Sequence, residues 1–518
     1  MLNPLSNQGV ASDSIVHQTQ NIAGRCHPAL LIEDILRRIF LILSLKSLVN
    51  VALTCHAWSD PALNILWEDV SLNVLLPILS PMERSHASPP LWSFTQAVTP
   101  GSWKRFDYLA SRVKKTTLGQ RFHKPLIAEL LLSRSSRDDK PILPSLQVLA
   151  TTGPACASED LLHLPVFMGP TLRRLEMRLV ESNPSLETIT HMATASPTLT
   201  EFHIGASLDA IAEIIETLTN MVLSSRALTK ATSWINSETW LDADDLVAAI
   251  TSHPSLEEVH LIGKLSSRSQ PLTSTSLSKL REIRARKGRG YTQLLRSINP
   301  VPGLLCVALH GDEKETSPIE EILEALGHHT RLEEIDLDGT WSHQPFLWGS
   351  LYPIYTCSAL QILSLLLRQP VANTDADIEY LAIQLPDLRS FKLGLGYRSG
   401  WKPKTTLRAY ALLATSCPNL HTISMEVDAT RDASCDISQP HRFLRSVEVQ
   451  DSLVEDSKMV TQFLFRLSWA EDFQLSYTHR GADAIHKARK WKKVQEMVSV
   501  LHQTRADAQA ANGLSGDL

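Results

Sequence analysis

Apolar residues follow two patterns along this chain. The first lies near the start. From Ala29 to Leu43, Leu31, Ile35 and Ile39 recur, with Ile32, Leu36, Phe40 and Leu43 beside them. Spacings of three and four predict a helix with a broad apolar stripe, and Asp34, Arg37 and Arg38 take the other face. A second short helix is expected from Ser47 to about Cys55, with Ser47 as its cap and Leu48, Val51, Ala52 and Cys55 on one side. A third is expected from Asp60-Pro61, a capping carboxylate followed by proline, carrying Leu63, Leu66 and Trp67. Three short helices make a very small core, yet the first has apolar residues on more than one side. A partner that covers the excess is the simplest physical solution.

The second pattern is a repeat. A phrase of Pro or a small residue, any residue, Leu, then apolar residues three and five positions after that Leu, recurs as PSLQVLA, PTLRRLEM, PSLEEVHL, TRLEEIDL and PDLRSFKL. Its anchors are Leu146, Leu172, Leu199, Leu228, Leu256, Leu280, Leu304, Leu332, Leu360, Leu388, Leu420 and Leu444. The mean step is about 27 residues, a pitch typical of strand-plus-helix repeats. Each phrase reads as a strand with alternating sides. Between phrases lie helical stretches such as SPIEEILEALGHHT and TDADIEYLAIQLP, opened by capping residues. One such unit cannot bury its own face, so the units must stack with their strands parallel.

Both patterns resemble known families. HPALLIEDILRRIF…LKSLVNVALTCHAWSDPALNILWEDV resembles an F-box, through Pro28, Ile35, Leu36, Ile39, Phe40, Leu48, Leu53, Cys55, Trp58, Leu66 and Trp67. His27-Pro28 stands where that family usually opens Leu-Pro, and the early acidic residue is displaced to Glu33. TPGSWKRFDYLASRVKKTTL, from Thr99 to Leu118, resembles the segment after the F-box in F-box proteins of mushroom-forming fungi. Its Trp103, Phe106, Leu109 and Val113 form one helical face, read as a linker helix between domains. The repeats resemble a leucine-rich-repeat solenoid of irregular type, except that the Asn or Cys usual after the strand is largely missing.

The expected fold class is therefore α/β, an F-box of three helices followed by an irregular leucine-rich-repeat solenoid. The map is a disordered tail over 1–25, F-box 26–70, a connecting helical segment 71–140, about twelve repeats over 141–478, a C-terminal helix 479–502 and a disordered tail 503–518. The resemblance implies the substrate-recognition subunit of an SCF-type cullin–RING ubiquitin ligase. Pro28, Leu31, Ile35, Leu36, Ile39, Phe40, Leu48, Leu53, Cys55, Trp58, Leu66 and Trp67 would bind a Skp adaptor, and through it a cullin. The solenoid would hold an unknown protein target. The alternative is a Skp-bound scaffold outside any ligase, or a general protein-interaction repeat protein.

Composition narrows this reading without changing it. Apolar residues are 43% and aromatics only 6%, so the core is aliphatic and a generally disordered chain is excluded. Glycine, 21 of 518 residues, is too sparse for a propeller's many tight turns. A net charge of −5 gives no global attraction to polyanions. Seven cysteines with no C-x-x-C pair argue against a disulfide framework and for a reducing compartment, cytosol or nucleus. The first residues lack the basic and apolar regions of a signal peptide, and the richest apolar run is broken by Glu33, Asp34, Arg37, Arg38 and Lys46, so no membrane span is expected.

No catalytic motif, cofactor site or metal site is expected. Gly394, Gly396 and Gly400 have the wrong spacing for a dinucleotide loop. His328-His329 reads as a helix-end pair, Asp242, Asp244 and Asp245 as helix N-terminal charges, and Cys55 as a core thiol. A hydrolase within the solenoid would need convergent Asp, His or Cys residues that the repeat spacing does not supply. Two basic clusters, Arg281 to Arg289 and Lys487 to Lys493 around Trp491, read as solvated faces first, an acidic-partner surface second and a nucleic-acid surface last.

Overall fold

The computed structural model describes residues 32–84, 91–118, 121–122, 126, 128–130, 132, 141–151, 164–179, 186–206, 211–235, 241–242, 244–262, 265–266, 279–288, 291–297, 301–311, 318–339, 346–367, 369, 371–394, 403–431, 437, 440–468, 470, 472–478 and 484–513. The tail expected over 1–25 lies outside them. Contacts divide the chain into two compact units, Met1–Leu199 and Thr200–Leu518.

The first unit opens with α1 Glu33–Phe40, α2 Leu45–Thr54 and α3 His56–Leu66. Two helix starts differ from expectation. Ser44, not Ser47, caps α2, its Oγ accepting from the Ser47 N–H at 3.2 Å. The third helix begins at His56, with Pro61 inside it. The Cys55 carbonyl closes its first turn, accepting from the N–H groups of Trp58 at 3.2 Å and Ser59 at 3.1 Å. Proline forfeits only its own bond there, and the preceding turn is held by Trp58, which packs edge-on against Phe40.

Parallel strands begin directly after α3. β1 Asp69–Ser71 pairs with β2 Lys115–Leu118, which pairs with β3 Val148–Thr151, which pairs with β4 Arg174–Leu179. The register runs Val70, Thr116, Leu149, Leu175. Parallel strand pairing thus begins at Asp69, ahead of the first leucine phrase. The segment expected to be a helical connection holds β2, the helix α4 Pro100–Ala110, and a small sheet of Met82–Arg84, Leu91–Phe94 and Arg121–Phe122. On α4 and its exit, Trp103, Phe106, Leu109 and Val113 are all buried, as their spacing suggested.

The second unit carries eleven parallel strands in sequence order, each from one repeat. They are β5 Glu201–Ala206, β6 Lys230–Ile235, β7 Glu258–Ile262, β8 Glu282–Gly288, β9 Cys306–Gly311, β10 Glu334–Gly339, β11 Ile362–Leu367, β12 Ser390–Gly394, β13 Thr422–Met425, β14 Ser446–Glu448 and β15 Gln474–Ser476. All twelve anchor leucines sit in the two cores at no more than 1% exposure. The C-terminal helix spans Ala484–Gly513, well past its expected end at 502. Its later part is anchored by Arg505, whose guanidinium lies 3.8 Å over the Phe465 ring and donates to the Phe465 and Ser468 carbonyls.

The missing Asn is replaced by another device. At the position three before the anchor leucine, a buried polar side chain often donates to the carbonyl at the matching position one repeat earlier. Ser196 bonds Gly169, His253 bonds Ser225, His329 bonds Val301, Cys357 bonds His329, Cys417 bonds Leu385 and His441 bonds Cys417. These turns are sealed from water, so an unpaired carbonyl there would cost about 1–3 kcal/mol. Hydroxyl, imidazole and thiol each supply the donor.

Candidate adaptor-docking face

The three helices of the first unit sort their apolar residues into two sets. Leu36, Phe40, Leu48 and Ala62 form the core, with Leu43, Val51, Ala52, Trp58, Ile65 and Leu66 packed against it. The second set faces water. On α1 and its flanks Ile32, Ile35, Ile39 and Ile42 follow at spacings of three, four and three, and Ile42 is 83% exposed. On α2, Leu45, Val49 and Leu53 follow at spacings of four, and Leu53 is 81% exposed. Leu41, between the helices, is also exposed. Each of these two helices thus keeps an apolar row exposed beside the residues that fill the small core. Leaving this many large aliphatic side chains in water is the signature of an interaction face.

The expected docking residues divide accordingly. Ile35, Ile39 and Leu53 lie on the exposed surface, whereas Leu36, Phe40 and Leu48 are core. Trp58 and Leu66 are half-buried against that core. Cys55 and Trp67 are half-buried, and Pro28 and Leu31 lie outside the described residues. Leu41, Ile42, Leu45 and Val49 were not foreseen as part of the face, although the step from Ile35 through Ile39 to Ile42 is the signal that leads to them. Trp58→Ala is expected to cost about 3–5 kcal/mol of folding, binding or both, read as a lower melting temperature or weaker adaptor binding; unchanged values for both would refute it.

Ionic contacts join these helices to the rest of their unit. Arg37 meets Glu68 at 2.6 Å, and Lys114 meets the same carboxylate at 3.3 Å. Asp60 accepts from the Tyr108 hydroxyl at 2.9 Å and Arg112 at 2.6 Å. The Tyr108 hydrogen bond, helped by Arg112, holds the Asp60 carboxyl below its ordinary range.

Strand residues that alternate with the core positions carry self-compensated charge. Lys230 pairs with Glu258 at 2.5 Å, His260 with Glu282 at 2.7 Å and Arg284 with Glu282 at 2.6 Å. Burial pushes the Glu282 carboxyl up, but the bonds from Arg284 and His260 outweigh it and leave it low. Glu258, His260 and Glu282 come close enough together to hold an ion, but Lys230 and Arg284 already neutralise both carboxylates. Of the first basic cluster, Arg284 is spent in this network, and Arg281 and Arg286 are exposed. In the second, Trp491 is fully buried with its indole N–H on the Ser452 carbonyl, and Lys487 pairs with Asp451 at 3.1 Å. His329 is spent in the turn ladder. Burial raises the Cys357 thiol to about 11 and the Cys417 thiol to about 12, which keeps both protonated. Asp244 and Asp245 open a helix, as expected, whereas Asp242 ends the short strand Leu241–Asp242 instead. Gly394 ends a strand, and Gly396 and Gly400 lie outside the described residues. Among the described residues no helix is long and apolar enough to cross a membrane.

Comparison with known proteins supports the division into two kinds of module. The F-box-like family model matches residues 33–73, which covers the three helices and β1. The chain therefore carries an F-box-like domain, followed by leucine-rich-repeat-like units with parallel strands. Such a domain implies a Skp-type partner, and proteins joining these two modules are typically non-catalytic adaptors. No curated protein matches. Among solved structures, the yeast Rad7–Elc1 complex contains a chain 17% identical, with a TM-score of 0.32, over 64% of this chain and 84% of that one. A chain of the TLR13–ssRNA13 complex is 13% identical, with a TM-score of 0.38, over 74% and 57%. A Bacteroides fragilis protein is 12% identical, with a TM-score of 0.27, over 54% and 67%. At TM-scores this low they add nothing to the architecture read from the strand pairing.

Proposed function

We propose that this protein is the substrate-recognition subunit of an SCF-type cullin–RING ubiquitin ligase. The surface of Ile35, Ile39, Ile42, Leu45, Val49 and Leu53 docks on the Skp adaptor, and the repeat units hold a target protein. The observation that carries this reading is the exposed aliphatic surface on an F-box-like domain whose inner residues already complete its own core. The chain itself performs no bond-breaking step. Catalysis is by proximity: a target lysine held near a ubiquitin-charged enzyme reacts at a raised effective concentration.

Purification of the full chain with its bound proteins tests the proposal. Recovery of a Skp adaptor together with a cullin is expected, and target proteins should accumulate in the same fraction when the proteasome is inhibited. A Skp adaptor without cullin would favour the scaffold role instead, and absence of both would end the proposal.

A further inference from the structure

The second unit carries another exposed surface, aromatic rather than aliphatic. Three elements pack side by side there: the helix Ile319–Gly327, the 3-10 helix Trp348–Thr356 and the helix Asp375–Gln384. The first two approach so closely that a Cβ on Gly327 would lie 2.5 Å from the Pro353 carbonyl oxygen. Tyr352, Tyr355 and Tyr380 meet on this surface, with ring centroids 5.5, 5.8 and 6.1 Å apart. Tyr352 is 61% exposed, Tyr380 48%, and Ile383, one turn beyond Tyr380, 59%. Two exposed rings set against a half-buried third, beside an exposed aliphatic side chain, are what interfaces bury.

Charge identifies the occupant. The three elements carry Glu320, Glu321, Glu324, Asp375, Asp377 and Glu379, and neither lysine nor arginine. Glu321 meets Arg296 of a neighbouring helix at 3.3 Å, Asp375 bonds Thr406, and Asp377 bonds the capping Thr374. Among the described residues Glu320, Glu324 and Glu379 have no ion-pair partner; Arg408 opens the next helix. Asp377 lies near enough to the rings that, with burial first and the neighbouring tyrosines, it pushes the Tyr355 hydroxyl up. An aromatic face in an acidic field favours a guanidinium, which stacks on the ring and is paid in charge by the carboxylates. The chain makes the same contact within itself, where Arg112 lies 3.9 Å over Tyr108.

We propose that Tyr352, Tyr380 and Ile383, framed by Glu320, Glu324, Asp377 and Glu379, form a docking surface for an arginine-rich segment of a partner protein. The negative surroundings repel nucleic acid and anionic lipid.

Fluorescence anisotropy of labelled nona-arginine with the full chain tests this, with nona-glutamate as its counterpart. Nona-arginine should bind and nona-glutamate should not. Tyr352→Ala with Tyr380→Ala should weaken binding about tenfold or more at unchanged melting temperature, while Tyr352→Phe with Tyr380→Phe should stay within about twofold, since the rings remain. Glu324→Gln with Glu379→Gln, both at the surface, should weaken it about threefold. Unchanged affinity in the alanine pair or the glutamine pair, no binding of nona-arginine, or equal binding of nona-glutamate would overturn the proposal.

Discussion

Replacing Ile35 and Ile39 together by glutamate should abolish capture of a Skp adaptor while leaving the melting temperature unchanged. Both side chains are more than a third exposed, on the face of α1 beside that of Leu36 and Phe40. Glutamate is a good helix former, so α1 itself loses little. An adaptor that covers this surface must instead bury two carboxylates without partners. Fully burying one Ile contributes about 1.5–3 kcal/mol, and an unpaired buried charge costs more still. A loss of about 100-fold in affinity, about 2.7 kcal/mol, is therefore a lower bound. Leu36→Ala should act the other way. Leu36 is only 2% exposed in a core of very few residues, so truncation should cost about 2–5 kcal/mol of stability. Its effect on binding would then follow from unfolding, visible as a lost melting transition for the module. Titration of purified adaptor against each variant, with parallel melts, separates the two. Adaptor affinity that survives the paired Ile35 and Ile39 substitution would remove this surface from the docking site.

The difference between those neighbouring residues also marks how far the chain could be read in advance. Periodicity identified α1 as apolar on more than one side, and so foresaw a partner. It could not say which side turned inward, because Leu36 with Phe40 and Ile35 with Ile39 obey the same spacing of four. Only the packing of α1 on α3, with Phe40 against Trp58, decides it. The repeat was more legible, since the anchor leucine is buried in every copy. It failed at the ends of the array. β2 and the residues just before it bury Val113, Thr116 and Leu118 in place of the usual leucines, and β15 buries Leu475 without an anchor before it. The turn ladder was invisible for another reason. Its positions need any side-chain donor, and Ser196, His253 and Cys357 share no residue type. The tyrosine surface draws its rings from two elements, Tyr352 and Tyr355 from one and Tyr380 from the next, which no local window joins.

Acid should destabilise the second unit sharply below about pH 6.5, because the ladder imidazoles must stay neutral. His253, His329 and His441 are at most 8% exposed, and burial lowers the pKa of each below 6.5 despite the carbonyl each one bonds. In the unfolded chain all three titrate near 6.5. Above that pH neither state binds the proton and these groups add no pH dependence. Below it the unfolded chain takes up protons that the folded one refuses, so stability falls as the pH drops. Each contributes a slope of at most about 1.4 kcal/mol per pH unit, approached only once the unfolded imidazole is fully protonated. One carboxyl opposes them. Burial, with Asp451 close by and Lys487 only partly compensating, raises the Glu426 carboxyl to about 7. Its folded pKa lies above its unfolded one, so the folded state gains stability as the pH falls through 7, and its slope cancels about one histidine. The net loss between pH 6.5 and 5.5 is then at most about 2 kcal/mol. Glu282 and Asp336, both held low by their partners, titrate below this window. Thermal melts from pH 8 to 5 should therefore show a broad maximum near pH 6.5–7 and a steep acid limb. His253→Asn keeps a donor without the titration and should flatten that limb by up to about 1.4 kcal/mol per pH unit, whereas Glu426→Gln should steepen it by up to a similar amount. A melting temperature that stays level down to pH 5.5 in the unmodified protein would show that the ladder imidazoles keep room for a second proton, and the sealed-turn account of the repeats would have to be abandoned.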